Sequence, residues 1–320
     1  MNVNIELLKE FEKTIDTAHP EKGKIPAKVL GSGEMSVVIE ILNDPENLVY
    51  KRMPIFDTEQ QAKKHKFVFK TYNRILNQNL DIVTPDFEIV WFKDDEGKIA
   101  FYGIQEKILT ESIGNNVIHQ VSDREVINLV LLALKEMKKI WSFNKKKTKL
   151  QVGFDAQISN FAIVDYDPES PSVDENTKLI YIDTVPPFFR VNGKEAMEIK
   201  FVVKSIPWFL RTALYYLFAP GIINGYYDWR VTAVDMIANF FKEQKPEIIP
   251  RLVREVNKFF AREAKEFDIK PITVKEVVKY YKFDKFVWVL LYNMRRIDRF
   301  IKKRIFKKKY IFYIPEKIKR

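Results

Sequence analysis

Two short apolar runs whose ends carry oxygen-bearing side chains constrain this chain most. Asp155-Ala-Gln-Ile-Ser-Asn160 runs into Phe161-Ala-Ile-Val, and after a turn-rich stretch Leu179-Ile-Tyr-Ile ends at Asp183. If 161–166 pairs antiparallel with 178–183, the start of the first strand lies beside the end of the second. Asn160 and Asp183 are then expected opposite each other, with Cβ atoms about 5 Å apart, close enough to share one Mg2+. Asp155 is left at the loop, where it could orient a hydroxyl. This layout suits phosphoryl transfer, in which positioning and charge neutralisation do most of the catalysis.

A polar hairpin whose Asx residues merely cap turns is the plainer alternative. Against it, Asp183 ends an apolar strand, and an unpaired buried carboxylate costs several kcal/mol unless a cation is supplied.

Composition narrows the chemistry. At 320 residues and 46% hydrophobic content, with 25 Phe and 14 Tyr, the chain can fill one large core or two moderate ones. With no Cys there is no disulfide, zinc thiolate or thiol nucleophile. His19, His65 and His119 are dispersed, which argues against a histidine metal site or a His-based triad, so acid-base chemistry must rest on carboxylates. The beginning of the chain reads as a helix through Leu7, Leu8 and Phe11 rather than a signal peptide, and cytoplasmic residence is expected. Of the net charge of +11, residues 295–320 hold 12 Lys or Arg against Asp298 and Glu316, so the rest is nearly neutral.

The pattern of elements divides the chain in two. Strands are expected at 28–31, 36–42, 48–53, 86–92 and 99–105, with a helix over 57–76 started by Asp57 and Gln60. Beyond Glu106-Lys107 the period becomes helical, with Val126, Val130, Leu131, Leu134, Met137 and Ile140 on one face and further helices near 196–218, 229–243, 248–266 and 284–306. The expected fold class is therefore α+β: residues 1–106 form a lobe with a small antiparallel sheet and one helix, and 107–320 a larger, mainly helical lobe.

Two features of the first part bear on chemistry. Gly31-Ser32-Gly33-Glu-Met-Ser36 lies between two strands, where glycines let backbone approach a phosphate; an ordinary hairpin turn is the alternative. It is not a Walker loop, because no Lys-Ser or Lys-Thr follows and no helix begins there. Lys51 lies on an apolar strand and can aim its ammonium at a ligand, while Arg52 points to the other face; both could instead be solvated edge charges.

In order along the chain, the glycine hairpin, the strand lysine, Asp155 with Asn160, and Asp183 resemble the protein kinase-like superfamily. The likeness is to its small-molecule kinases, such as aminoglycoside phosphotransferases and choline kinases, more than to eukaryotic protein kinases. It covers about residues 28–190 with recognisable motifs. It implies a bilobal fold and ATP with Mg2+ as cofactors: Gly31, Ser32, Gly33 and Ser36 over the phosphates, Lys51 on the α and β phosphates, and the backbone of Gln105, Glu106 and Lys107 at the adenine. Asp155 would be the catalytic base, and Asn160 and Asp183 the Mg2+ ligands. Glu59 is the candidate ion-pair partner of Lys51, although a first-turn acid is equally what helix-dipole compensation calls for.

The chain also departs from that pattern. Gly153 stands where the family has histidine two residues before the base, Phe154 follows it, and Asp183-Thr-Val replaces Asp-Phe-Gly with Pro186-Pro187 close behind. These changes speak against a regulated protein kinase. Two functions follow: a phosphotransferase acting on an unidentified, non-protein hydroxyl acceptor, or a catalytically weak or inactive nucleotide-binding scaffold whose basic C-terminal helix binds an anionic partner such as membrane or RNA.

In the last helix, Leu290, Met294, Ile297, Ile301 and Ile305 line one stripe, with Arg295, Arg296, Arg299, Lys302 and Lys303 around the rest. Such a helix docks its apolar stripe on its own protein, or meets an anionic membrane surface or RNA. The aromatics of Lys307-Lys-Lys309-Tyr-Ile-Phe-Tyr313 favour an anionic partner. The apolar stretch from Ile206 to Ile223 is interrupted by Arg211 and Pro220, so a buried core helix is expected there rather than a membrane span.

Overall fold

The computed structural model describes residues 1–33, 35–42, 44–147 and 149–316. Glu34 of the glycine hairpin, Asn43 of the following turn and positions 317–320 of the basic terminus lie outside the described residues.

The first helix, α1 (Ile5–Thr14), starts where the Asn4 side chain accepts the Leu7 N–H, and it buries Leu8 and Phe11. Three strands follow: β1 (Ala27–Ser32), β2 (Val37–Ile41) and β3 (Leu48–Arg52). Helix α2 (Glu59–Arg74) is capped by Thr58, not by the expected Asp57, because the Thr58 side chain accepts the Gln61 N–H. Strands β4 (Phe87–Lys93) and β5 (Ile99–Glu106) complete a five-stranded antiparallel sheet in the order β1-β2-β3-β5-β4. Alternation gives the sheet two apolar faces: Ile39, Ile41, Tyr50, Tyr102 and Ile104 pack with Leu8 and Phe11 of α1, while Met53, Ile89 and Phe101 pack with Val68, Phe69 and Tyr72 of α2.

The rest of the chain is mainly helical, which is the α+β arrangement expected. A short α3 (Gly114–Val117) precedes α4 (Asp123–Lys146), whose start carries a Ser122–Glu125 capping box. Small strands β6 (Leu150–Val152), β7 (Phe161–Ile163), β8 (Leu179–Tyr181), β9 (Phe189–Val191) and β10 (Lys194–Glu195) carry the central motifs. Four helices follow: α5 (Trp208–Gly225), α6 (Trp229–Lys242), α7 (Ile249–Arg262) and α8 (Val274–Phe300).

Two expectations are corrected here, on α5 and on α8. Helix α5 is not a core helix: it buries only Ala219 and Ile223, while Trp208, Phe209, Tyr216 and Leu217 are exposed. No helix among the described residues is long and apolar enough to cross a membrane. In the second half of α8 Arg295 and Asp298 are buried, whereas Leu290, Met294 and Ile301 are half-buried and Ile297 and, in the turn beyond, Ile305 are exposed, so the apolar stripe docks inward only in part. The terminal aromatics do turn inward. Tyr310 and Phe312 are buried, Thr17 donates to the Tyr310 carbonyl at 2.6 Å, and Arg52 donates to that of Ile311 at 2.7 Å. The last segment thereby returns to the face of the sheet that α1 covers, because Arg52 there needs acceptors.

Candidate active site

The segment that carries Asp155 leaves β6 in a tightly braced turn. Asn144 of α4 holds Val152 through two 2.8 Å hydrogen bonds; the Gly153 N–H donates to Phe188 O at 2.8 Å and the Phe154 N–H to Tyr226 O at 2.9 Å. A Cβ on Gly153 would meet Phe188 Cβ at 2.9 Å and Tyr227 Cζ at 3.0 Å, so no larger residue fits this backbone path. That is why the histidine of the kinase-like pattern has no place here. Aromatics brace the turn: Phe154 stacks on Tyr181 at 4.3 Å, Tyr181 OH donates to Asp155 O at 3.1 Å, and Tyr72 OH donates to Gly153 O at 3.0 Å.

Asn160 closes a helical turn just before β7, and its Nδ2 also donates to Asp155 O at 3.1 Å. The amide nitrogen is thus used, which leaves Oδ1 as the atom for a cation. The register differs by one step from the expected pairing. Phe161 lies opposite Tyr181, and the Ile182 N–H donates to Asn160 O at 2.8 Å, so Asp183 lies one residue past the position facing Asn160.

Asp183 instead meets the strand lysine. Lys51 Nζ donates to Asp183 Oδ1 at 2.6 Å and to Val185 O at 3.0 Å, across more than 130 residues. Arg52, next along β3, points to the opposite face and makes a fully buried pair with Glu12. Neither is a solvated edge charge.

The fold holds the acids close against their mutual repulsion. Burial first, then the negative charges of Asp235 and Asp183, push the Asp155 carboxyl up to about 8. Asp235 of α6 is pushed up to about 6 by burial and by Asp284 of α8. A polar cluster links them: Asp235 accepts from Gln157 at 3.5 Å and from Asn239 at 3.3 Å, is hydrogen-bonded to Tyr280, and Lys242 donates to Gln157 at 3.2 Å. Asp235, Tyr280 and Asp284 were not singled out from sequence. One signal was available: Asp235 and Asn239 interrupt an otherwise apolar helix at one-turn spacing, on the face that buries Ala238 and Thr232.

Other expected residues fall as follows. Gly31 and Ser32 lie in β1 opposite Val38 and Val37, and Gly33 closes the turn by donating to Ser36 O at 3.0 Å. A Cβ on Gly31 would meet nothing within 4 Å, so no described atom crowds that point of the hairpin, while the Gly33 carbonyl accepts from Arg295 at 3.3 Å. Lys51 pairs with Val38, which places it beside the hairpin's returning strand in the same sheet. Glu59 is not the partner of Lys51. It bonds Lys93 at 2.9 Å with Lys63 nearby, as an exposed acid in the first turn of α2. Gln105 and Glu106 lie in the β5 ladder, and the Lys107 N–H is taken by Asn47 O at 3.1 Å while its ammonium pairs with Glu40. The backbone at 105–107 is therefore largely committed to the sheet.

The family of unknown function DUF6206 matches residues 10–299. The chain belongs to that family. No curated protein matches it. Among solved structures, a point mutant of aminoglycoside 2'-phosphotransferase-IIIa in its GDP complex is similar at 12% identity over 81% of this chain and 91% of that one, with a TM-score of 0.32. The GDP and kanamycin complex of APH(2")-IIIa is similar at 11% identity over 79% and 98%, with a TM-score of 0.29. Both superpositions are loose at such scores, and neither bears on the chemistry of this DUF6206 chain.

Proposed function

We propose that this chain is an ATP- and Mg2+-dependent phosphotransferase acting on a non-protein hydroxyl. The observation that carries the reading is the ion pair between Lys51 and Asp183 beside a second carboxylate, Asp155, whose proton affinity depends on Asp183. Among the described residues no three acidic or imidazole groups cluster as a metal site. Mg2+ suits that condition, because it takes one or two protein oxygens and fills its remaining positions with phosphate and water. Asn160 Oδ1 and Asp183 would hold it, and the glycine hairpin whose returning strand pairs with Lys51 would receive the phosphates. When bound, MgATP supplies the transferable phosphoryl group and neutralises its charge.

The chain's own residues account for the rest. Lys51 offers a point charge that can exchange its carboxylate partner for a phosphate oxygen. Asp155, its carboxyl pushed up to about 8 by burial and by the charges of Asp235 and Asp183, can accept the proton of an alcohol, and Gln157, to which Lys242 donates, lies two residues away.

The test is nucleotide turnover by the wild-type chain and by Asp155→Ala, together with thermal shift under ATP with and without Mg2+. Mg2+-dependent stabilisation of both proteins, with turnover in the wild type alone, is expected. Binding without turnover in either would leave a nucleotide-binding scaffold, and no binding at all would reject both readings.

A further inference from the structure

The second half of α8 shows a reversed surface. Asp298 is 1% exposed and ion-paired to Lys302 at 2.7 Å, and Arg295 is buried with its guanidinium donating to Gly33 O at 3.3 Å and Tyr313 O at 2.6 Å. Facing out are Phe283, Phe286, Val289, Ile297 and Phe300, the last 61% exposed. A helix that served only the interior would do the opposite, since buried charges demand partners and exposed apolar area forfeits its transfer free energy.

Cations are interleaved with these apolar side chains. Lys282, Arg296, Arg299, Lys303, Arg304 and Lys307 lie on or beside this face, and among the described residues none of them has a carboxylate within salt-bridge distance. From 285 to 315 the sequence holds one acid, the buried Asp298. Asn293, Arg296, Ile297 and Phe300 line a shallow groove of about 390 Å³ on the helix surface.

We propose that this face of α8, with the turn Ile301–Ile305 that continues it, docks on an anionic lipid bilayer. Its Phe and Ile side chains enter the boundary between headgroups and acyl chains, and its Lys and Arg side chains meet lipid phosphates and carboxylates. Charge decides between occupants. A symmetric dimer through this face would set the same cations against each other. A nucleic-acid backbone would use the cations but give the Phe and Ile side chains nowhere to be buried. The surface also belongs to a helix that borders the proposed site: Tyr280 is bonded to Asp235, and Arg295, about 22 Å further along the helix axis, to Gly33.

The full chain is floated with phosphatidylcholine vesicles with or without phosphatidylserine, and a single-stranded RNA is titrated in parallel. Binding to the serine-lipid vesicles alone is expected, weakening with added salt. Phe286→Ser with Phe300→Ser, and separately Lys303→Glu with Arg304→Glu, should each lower it by on the order of tenfold. These positions are exposed, so far-UV circular dichroism and Tm should not change. The proposal is overturned by no preference for anionic vesicles at low salt, by binding that survives loss of both Phe side chains, or by RNA binding without vesicle binding. A dimer that Phe300→Ser dissociates, in a chain that ignores vesicles, would overturn it too.

Discussion

Lys51 Nζ lies 2.6 Å from Asp183 Oδ1, so the cation of β3 is held by the residue that ends the β7–β8 hairpin. Asp183 is about two-fifths exposed at its side chain, so the pair itself adds little to stability. Its value lies in a charge ready to be redirected. Lys51→Met should leave Tm within a few degrees of wild type but weaken ATP binding by roughly tenfold to a hundredfold, the worth of a hydrogen bond to a charged group. Calorimetric titration of both proteins with MgATP decides this, and equal affinities would remove Lys51 from the site.

Asp155 and Asp235 should report each other through pH. Removing the Asp235 charge in Asp235→Asn lets the Asp155 carboxyl fall from its raised value, so the acid limb of the pH–rate profile should move to lower pH. Linkage gives a second readout. Between the ordinary carboxylate value of 3.8 and about 8, the folded state binds more protons at Asp155 than the unfolded state does. Stability from this group is therefore full at low pH and is lost as pH rises through about 8. Urea midpoints measured from pH 6 to 9 should fall in the wild type and fall less in Asp155→Asn.

Gly153 is a steric necessity. Gly153→Ala forces a methyl against Phe188 and the Tyr227 ring, both within about 3 Å, in a wall of packed aromatics. Overpacking of this kind costs about 1–3 kcal/mol, and it also shifts the turn that aims Asp155. Chemical denaturation should show the loss in stability, and any turnover should fall further than the stability loss explains.

Arg52, Glu12 and Tyr102 join α1, β3, β5 and the last segment in one buried network. Burial works against the Glu12 charge, but Arg52's charge and hydrogen bonds, with that of Tyr102, outweigh it and hold the carboxyl below its ordinary range. Glu12→Leu leaves the guanidinium without its counter-ion and should destabilise by about 3–5 kcal/mol. Replacing Arg52 by Met in the same chain should recover much of that, and a double-mutant cycle by urea denaturation measures the coupling.

Much of this architecture was legible in residue pattern. Alternation along β3 put Lys51 and Arg52 on opposite faces, and the five strands with one intervening helix followed from period and turn residues. Less legible was the register of β7 and β8, which shifts by one because Asn160 ends a helical turn instead of opening the strand. Glu59 was ambiguous for a local reason. Its first-turn position suits the helix dipole wherever α2 points, and only the packed sheet shows that Lys93 is the cation it reaches.

What the residues determine on their own is local: which runs become strand or helix, which strand carries the lysine, and the order in which Asp155, Asn160 and Asp183 are met. Tertiary structure alone decided that Asp235 and Tyr280 surround Asp155, that Gly153 has no room for a side chain, and that α8 buries Arg295 and Asp298 while showing Phe300 to solvent. The physical reason is distance along the chain. Periodicity records which side chains share a face, whereas the free energy of turning that face inward depends on acceptors such as Gly33 O and Tyr313 O, which folding alone brings to Arg295.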